Sequence, residues 1–154
     1  TYEKASWFLH MLRHQLGDEI FFKGLQNYYA DFRNSTALTS DFRKVMEAVS
    51  GENLKSFFDQ WLRQAGHPVL DCSWDSTVEA DKMSEQHITI YQKNDKLFNF
   101  PLELEIVYED GTSEFKTVHL NNTIQEQQFT VNATSKIAGI DLDPNTKLLF
   151  EIVQ

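Results

Sequence analysis

The hydrophobic pattern of the chain changes its period once, near Gly66-His67-Pro68. Before this point, apolar residues recur with the three- and four-residue spacing of amphipathic helices. After it, they alternate with polar residues, as in half-buried strands. Helices followed by strands, rather than interleaved with them, favour an α+β arrangement. We therefore predict a helical part over residues 1–67 and a β-sandwich over residues 68–154.

The first predicted helix opens at Tyr2 and carries a wide apolar face. A face this wide is typical of a helix that is buried in a larger domain. Because the chain begins inside a helix, we expect it to be a piece of a larger protein. The residues predicted to share this face are Ala5, Phe8, Leu9, Leu12 and Leu16.

Three more helices are predicted before the change of period. Asp18 is the expected N-cap of the second helix and Thr39 that of the third, because short polar side chains can bind free amides at a helix start. Gly51 is expected to end the third helix. The fourth helix should stop before Pro68, and it carries the aromatic residues Phe57, Phe58 and Trp61.

After Pro68 the pattern predicts about seven short antiparallel strands, the usual content of a small β-sandwich. Asp110-Gly111 is predicted to form a hairpin turn. Phe115 is out of phase with Val118 and Leu120, which suggests a bulge between them.

Cys72 is the single cysteine of the chain and falls in the first strand pattern. A lone cysteine cannot form an internal disulfide, and its place among apolar strand positions predicts a small buried hydrophobic residue rather than a reactive thiol.

The composition is that of a globular, soluble protein, with 41% hydrophobic and 24% charged residues. The formal net charge is −9, which argues against a nucleic-acid or anionic-membrane surface, because binding to phosphates requires clustered lysine and arginine. No apolar run reaches the ~18 residues that a membrane helix needs. We therefore expect no membrane segment in this chain, and its location, cytoplasmic or exported, stays open.

His10 and His14 have the i, i+4 spacing with which two histidines can hold a zinc ion. In the peptidase motif His-Glu-x-x-His, the residue after the first histidine is the general base, but Met11 occupies that position here. Both histidines also fall on the polar side of the first helix. We predict a solvated or salt-linked pair and no metal site.

The segment Asp141-Leu142-Asp143-Pro144-Asn145 faintly resembles the start of a calcium loop. A helix-loop-helix calcium site requires glycine at the sixth position and glutamate at the twelfth, and these positions hold Thr146 and Ile152. We predict a turn between two strands instead.

An ordered series of motifs occupies the first 70 residues. Tyr2-Glu3-Lys4 heads it, followed by Gly17-Asp18-Glu19-Ile20-Phe21, Thr39-Ser40-Asp41-Phe42, Phe57-Phe58-Asp59-Gln60-Trp61-Leu62 and Gly66-His67-Pro68. The series is similar to that of the alanyl-aminopeptidase family of zinc peptidases, the gluzincin aminopeptidases. The first motif resembles the family's Tyr-x-Lys-Gly segment, except that Ala5 stands where the family usually has glycine.

This resemblance implies that the parent protein is a zinc-dependent aminopeptidase that removes N-terminal residues from peptide substrates. It assigns to Tyr2 a hydroxyl that donates a hydrogen bond to the oxyanion of the tetrahedral intermediate. In the family, zinc is held by an upstream His-Glu-x-x-His segment and a later glutamate, which this sequence lacks. The resemblance thus implies the helical tail of a catalytic domain followed by a β-sandwich, a piece that binds no zinc and is inactive alone.

Two alternatives stay open. The chain is compatible with a non-enzymatic interaction module in which a fibronectin-like β-sandwich follows a helical docking stalk. It is also compatible with an inactive relative that keeps the peptidase fold without the zinc site. The sequence that precedes Tyr2 in the parent would separate these hypotheses.

Overall fold

The computed structural model describes residues 2–76 and 82–153. The chain divides into two compact units, a helical unit over Thr1–Gly66 and a β-rich unit over His67–Gln154. The α+β class expected from the change of period is therefore confirmed.

Within residues 2–66, the helical unit contains four α-helices. The last of them continues directly into a π-helix, in which the Gln64 amide donates to the carbonyl of Asp59 over 3.1 Å. The helices are α1 (Tyr2–Leu16), α2 (Asp18–Phe32), α3 (Thr39–Ser50) and α4 (Lys55–Phe58), and the π-helix is Asp59–Arg63.

The core of the helical unit is built on aromatic and long aliphatic side chains. The rings of Phe8 and Phe58 meet edge to face, with centroids 4.8 Å apart, a favoured aromatic geometry. Only part of the apolar face predicted for α1 is buried, since Leu9 is 40% exposed and Ala5 is exposed as well. The buried residues of α1 are Phe8, Met11, Leu12 and Leu16.

The two predicted N-caps are wrong by one position. Gly17, with φ 78°, precedes α2, and Asp18 is already helical and binds Arg13. Leu38 precedes α3, where its amide donates to the Asp41 carboxylate over 2.9 Å. Asp18 therefore binds the Arg13 side chain instead of capping α2, and before α3 the Asp41 carboxylate binds the free amide in place of Thr39.

The predicted end of α3 is confirmed. Gly51 adopts φ 74°, and its amide donates to the Glu47 carbonyl over 2.9 Å. This left-handed conformation ends a helix with little strain only at glycine or, less often, asparagine.

In the described part of the second unit, seven strands form two sheets. One sheet has the order β5-β2-β1-β7 and the other β4-β3-β6. The strands are β1 (Val69–Asp75), β2 (Ser84–Gln92), β3 (Phe100–Tyr108), β4 (Ser113–Leu120), β5 (Glu126–Ala133), β6 (Ile137–Leu142) and β7 (Glu151–Ile152).

Both sheets contribute alternate side chains to one apolar core. The fully buried members, each 0% exposed, include Leu70, Ile88, Ile90, Leu102, Leu104, Ile106 and Leu120. They recur at every second position of their strands, as expected when one face of a sheet is buried. The predicted β-sandwich of about seven strands is therefore confirmed.

One strand pair departs from the predicted antiparallel pattern. β7 pairs with β1 in parallel, with Val69 opposite Glu151 and Leu70 opposite Ile152. The preceding strand, β6, lies in the other sheet. The chain thus changes sheets before β7, and a connection of that kind does not impose the antiparallel direction that a hairpin imposes.

The bulge predicted within β4 is also wrong. The β3–β4 register runs without a shift from Phe100 opposite Leu120 to Val107 opposite Ser113. Phe115 is out of phase because it lies on the outer face, where it is 62% exposed. The Asp110-Gly111 turn is confirmed, with Gly111 at φ 84°.

Candidate active-site tyrosine and its surroundings

Tyr2 is the first helical residue of α1 and is 93% exposed. Its carbonyl accepts a hydrogen bond from the Ser6 hydroxyl over 3.1 Å, which adds a side-chain bond to the first turn of the helix. The phenol is therefore accessible from outside, while the backbone that carries it belongs to a regular helix. A hydrogen-bond donor carried on a rigid element can be aimed at a developing negative charge.

Lys4 connects this first turn of α1 to the segment that follows the π-helix. Its Nζ donates to the carbonyl of Gln64 over 2.7 Å and to the carbonyl of Gly66 over 3.0 Å. Gly66 adopts φ 78°, which reverses the chain next to the second acceptor. Carbonyls beyond the end of a helix lack helical partners and carry partial negative charge, so a cation stabilises them.

Sequence reasoning missed this contact. The available signal was the place of Lys4 within the Tyr-x-Lys motif, two residues after the candidate tyrosine. The sequence alone did not show that the ammonium group reaches residues 60 positions further along the chain.

His10 and His14 lie beside each other on α1, with ring centroids 4.5 Å apart in an edge-to-face arrangement. Trp7 packs edge to face on His10, at 5.4 Å. No group of three or more histidine, cysteine or acidic side chains is placed to hold a metal within residues 2–76 and 82–153. A catalytic zinc site takes about three protein ligands.

The predicted turn after β6 is confirmed. The amide of Thr146 donates to the carbonyl of Asp143 over 2.9 Å, and both residues have φ 53°. The Asp143 carboxylate is buried, and its Oδ2 accepts from the amide of Leu148 over 2.8 Å. This carboxylate thus orders the turn from inside.

Glu103 holds the same turn from β3. Its Oε2 accepts from Lys147 Nζ over 2.7 Å, and its other oxygen accepts from the side-chain amide of Asn145. The Lys147 ammonium, helped by Asn145, lowers the pKa of the Glu103 carboxyl below its ordinary value. The acidic segment that begins at Asp141 is thus a turn stabilised by hydrogen bonds to Glu103.

Cys72 lies in β1 opposite Ile90 and is half-buried. Burial, together with the neighbouring Asp71 carboxylate, raises the pKa of its thiol to about 11. A thiol nucleophile acts as the thiolate, so the raised pKa keeps the Cys72 thiol almost entirely protonated at neutral pH. The predicted burial is met only in part, since Cys72 is half-buried.

The first 61 residues match the model of the peptidase family M1 domain. The chain belongs to the peptidase M1 family. The matched stretch includes the Tyr2-Glu3-Lys4 segment and the helices as far as the π-helix. The resemblance to the alanyl-aminopeptidase group of zinc peptidases is therefore confirmed.

Curated M1 relatives resemble the chain over longer stretches. Aminopeptidase N of Lactococcus lactis is 36% identical over 105 residues, which cover 66% of this chain and 12% of that protein. Aminopeptidase N of Escherichia coli is 29% identical over 138 residues, covering 87% of this chain and 15% of that protein. The chain thus spans about an eighth of the length of these relatives.

A solved structure shares the fold along nearly the whole chain. The crystal structure of Legionella pneumophila aminopeptidase A in complex with aspartic acid matches with a TM-score of 0.72 and 18% identity, covering 99% of this chain and 17% of that one. At this identity the likeness concerns the fold. None of the helices in the described part of this chain has the length and apolar character of a membrane span.

Proposed function

We propose that this chain is the C-terminal part of a zinc-dependent aminopeptidase that removes N-terminal residues from peptide substrates. The observation that supports this most is the match of residues 1–61 to the M1 peptidase domain, together with Tyr2, exposed at the head of α1. Residues 1–67 would complete a catalytic domain, and residues 68–154 would follow it as a β-sandwich.

In this proposal, Tyr2 supplies one hydrogen bond to the transition state. The ground-state carbonyl of a peptide is a weak acceptor, and the tetrahedral oxyanion is a strong one. A donor fixed on a helix therefore stabilises the transition state more than the bound substrate. Its loss raises the barrier with little effect on substrate affinity.

The zinc of the proposed enzyme would be held by other parts of the whole protein, where it activates the attacking water when bound. His10 and His14 are not expected to contribute, because the described residues place no third ligand beside them. The chain alone should therefore neither hold a catalytic zinc nor cleave aminoacyl substrates.

The test compares the whole protein with the 154-residue chain under the same conditions. Each is assayed with fluorogenic amino-acid amides before chelation, after chelation and after addition of zinc, and zinc content is measured. We expect the whole protein to lose turnover after chelation and to regain it after addition of zinc. We expect the 154-residue chain to show no turnover and no tight, stoichiometric zinc binding.

Two other results would each overturn a part of the proposal. A whole protein that holds no zinc and has no turnover would point to an inactive relative or to an interaction module, and would overturn the proposed activity. Tight zinc binding or turnover by the chain alone would overturn its assignment as an incomplete part.

A further inference from the structure

We propose that Lys4 is a positioning residue for Tyr2. This inference rests on the proposed role of Tyr2 as a hydrogen-bond donor to the oxyanion. Lys4 lies two residues after Tyr2, within the same first turn of α1. Its ammonium group binds the carbonyls of Gln64 and Gly66 at 2.7 and 3.0 Å. The first turn of α1 is thereby tied to a segment about 60 residues away in sequence.

The physical need for such a tie follows from the exposure of Tyr2. The phenol of Tyr2 is 93% exposed, so packing against the described residues does little to hold it. The Ser6 hydroxyl restrains the Tyr2 carbonyl from within the same helix, whereas Lys4 fixes that turn relative to another element.

The two carbonyls that accept hydrogen bonds from Lys4 lie in a segment of defined backbone conformation. The Gln64 carbonyl directly follows the π-helix, and Gly66 turns the chain with φ 78°. Both carbonyls are bound by one ammonium group, which carries up to three donors. Gln64 directly follows the π-helix, so the partial negative charge of that helix end strengthens the bond of its carbonyl to a cation.

Lys4 would therefore act on the reaction only through the placement of the Tyr2 hydroxyl. A displacement of about 1 Å caused by a residue away from the chemistry can reduce a rate by ~10²-fold. We expect Lys4→Met in the whole protein to lower kcat by roughly 10- to 100-fold, with KM changed less than about threefold. Lys4→Arg keeps the cation and its donors and should retain most of kcat.

The deciding experiment is a double-mutant cycle between Lys4→Met and Tyr2→Phe in the whole zinc-loaded protein. Once the hydroxyl is absent, its placement no longer matters, so Lys4→Met should lower kcat by less than about threefold in the Tyr2→Phe background. Lys23→Met, which removes an exposed lysine charge from α2, is the control and should leave kcat unchanged. Zinc content and melting temperature are recorded for every variant.

The outcomes separate this inference from the proposed function. If Tyr2→Phe itself leaves kcat unchanged, the oxyanion role fails and the positioning role fails with it. If Tyr2→Phe lowers kcat and Lys4→Met lowers it by the same factor in both backgrounds, Tyr2 keeps its role and the positioning role of Lys4 is overturned. Should Lys4→Met not fold, Lys4→Gln, which keeps a donor without the charge, goes through the same cycle and is decided by the same criterion.

Discussion

At the scale of single residues, Glu103 shows how one charge links a turn to a strand. Its pKa is lowered in the folded chain, mainly by the hydrogen bond from Lys147 and further by Asn145. A carboxyl with a folded pKa below its unfolded value contributes stability that is present above the unfolded pKa and lost as pH falls through the folded one. The unfolded pKa of glutamate is about 4.3.

We therefore predict that Glu103→Gln destabilises the chain at pH 7 by about 0.5–1 kcal/mol, a small value because the Lys147 side chain is 38% exposed and solvent screens the pair. The difference between the two proteins should shrink as pH falls from about 5 towards 3. Urea unfolding of both proteins across this range measures it. A difference that is constant with pH would show that ionisation of Glu103 does not stabilise the fold.

Cys72 gives a second prediction at this scale. Because burial raises its thiol pKa to about 11, alkylation by iodoacetamide at pH 8 should be roughly 10- to 100-fold slower than that of an unfolded control, as the thiolate is the reactive form. The rate should rise with pH until the fold is lost. Equal rates in folded and urea-unfolded protein would contradict the half-buried, protonated state of the thiol.

Single residues were also where sequence reasoning was least accurate. Asp18 and Thr39 have the right chemistry for helix caps, yet Gly17 and Leu38 occupy the cap positions. A capping preference of about 1 kcal/mol is smaller than the effect of tertiary packing on where a helix starts, so the pattern locates a helix start only to within a residue or two.

At the scale of elements, the contact between α2 and α3 depends on one glycine. A Cβ added at Gly24 would lie 2.1 Å from the Sδ of Met46, and Met46 is fully buried. The two helices therefore approach closely because Gly24 has no side chain, and Met46 fills the space.

We predict that Gly24→Ala lowers the free energy of unfolding by about 0.5–2 kcal/mol. Overpacking a core costs about 1–3 kcal/mol, and the better helix propensity of alanine offsets about 1 kcal/mol of that cost. Met46→Leu should relieve part of the loss in the double variant. Denaturant unfolding measures both, and a Gly24→Ala variant that is more stable than the parent sequence would show that Met46 moves aside at no cost.

Elements were predicted well where the period of apolar positions was regular. The core strands β2 and β3 alternate buried and more exposed positions over most of their length. The parallel β7 pair and the π-helix after Phe58 were missed. Neither feature changes the period of the apolar residues. The parallel pairing of β7 depends on a connection between the sheets, and the π-helix depends on a single shift of hydrogen-bond register within a helix.

At the scale of the whole chain, the helical unit leaves large apolar side chains exposed on α1, on α2 and just before α3. Such surface favours association or local opening. The exposed residues are Tyr2, Leu9, Phe22, Tyr29 and Leu38.

We therefore predict weak hydrogen-exchange protection for residues 2–16 and strong protection for β3 in a dilute solution of the 154-residue chain. Strand β3 pairs on both sides, with β4 and β6, and alternates fully buried residues. Addition of the preceding part of the protein should raise protection in α1. Equal protection of α1 and β3 in a dilute monomer would contradict this difference.

The family of the chain could be assigned from the sequence because the motifs follow one another in a fixed order over the first 70 residues. The described structure adds what motifs do not contain: the exposure of Tyr2 and the tie from Lys4 to Gln64 and Gly66. Both depend on which distant segments meet in the fold. A local pattern of residue types does not specify that.

The most direct test of the account is Tyr2→Phe in the whole protein, with Tyr29→Phe as the matched control. Tyr29 is also exposed on a helix, at 69%. Removal of one oxyanion donor typically lowers kcat by about 10²–10³-fold, so we predict a loss of that size for Tyr2→Phe. KM, zinc content and melting temperature should be nearly unchanged, and the control should be fully active. A Tyr2→Phe protein whose kcat stays within a few-fold of the unmodified enzyme, or one that loses zinc or stability instead, would contradict the catalytic role of Tyr2.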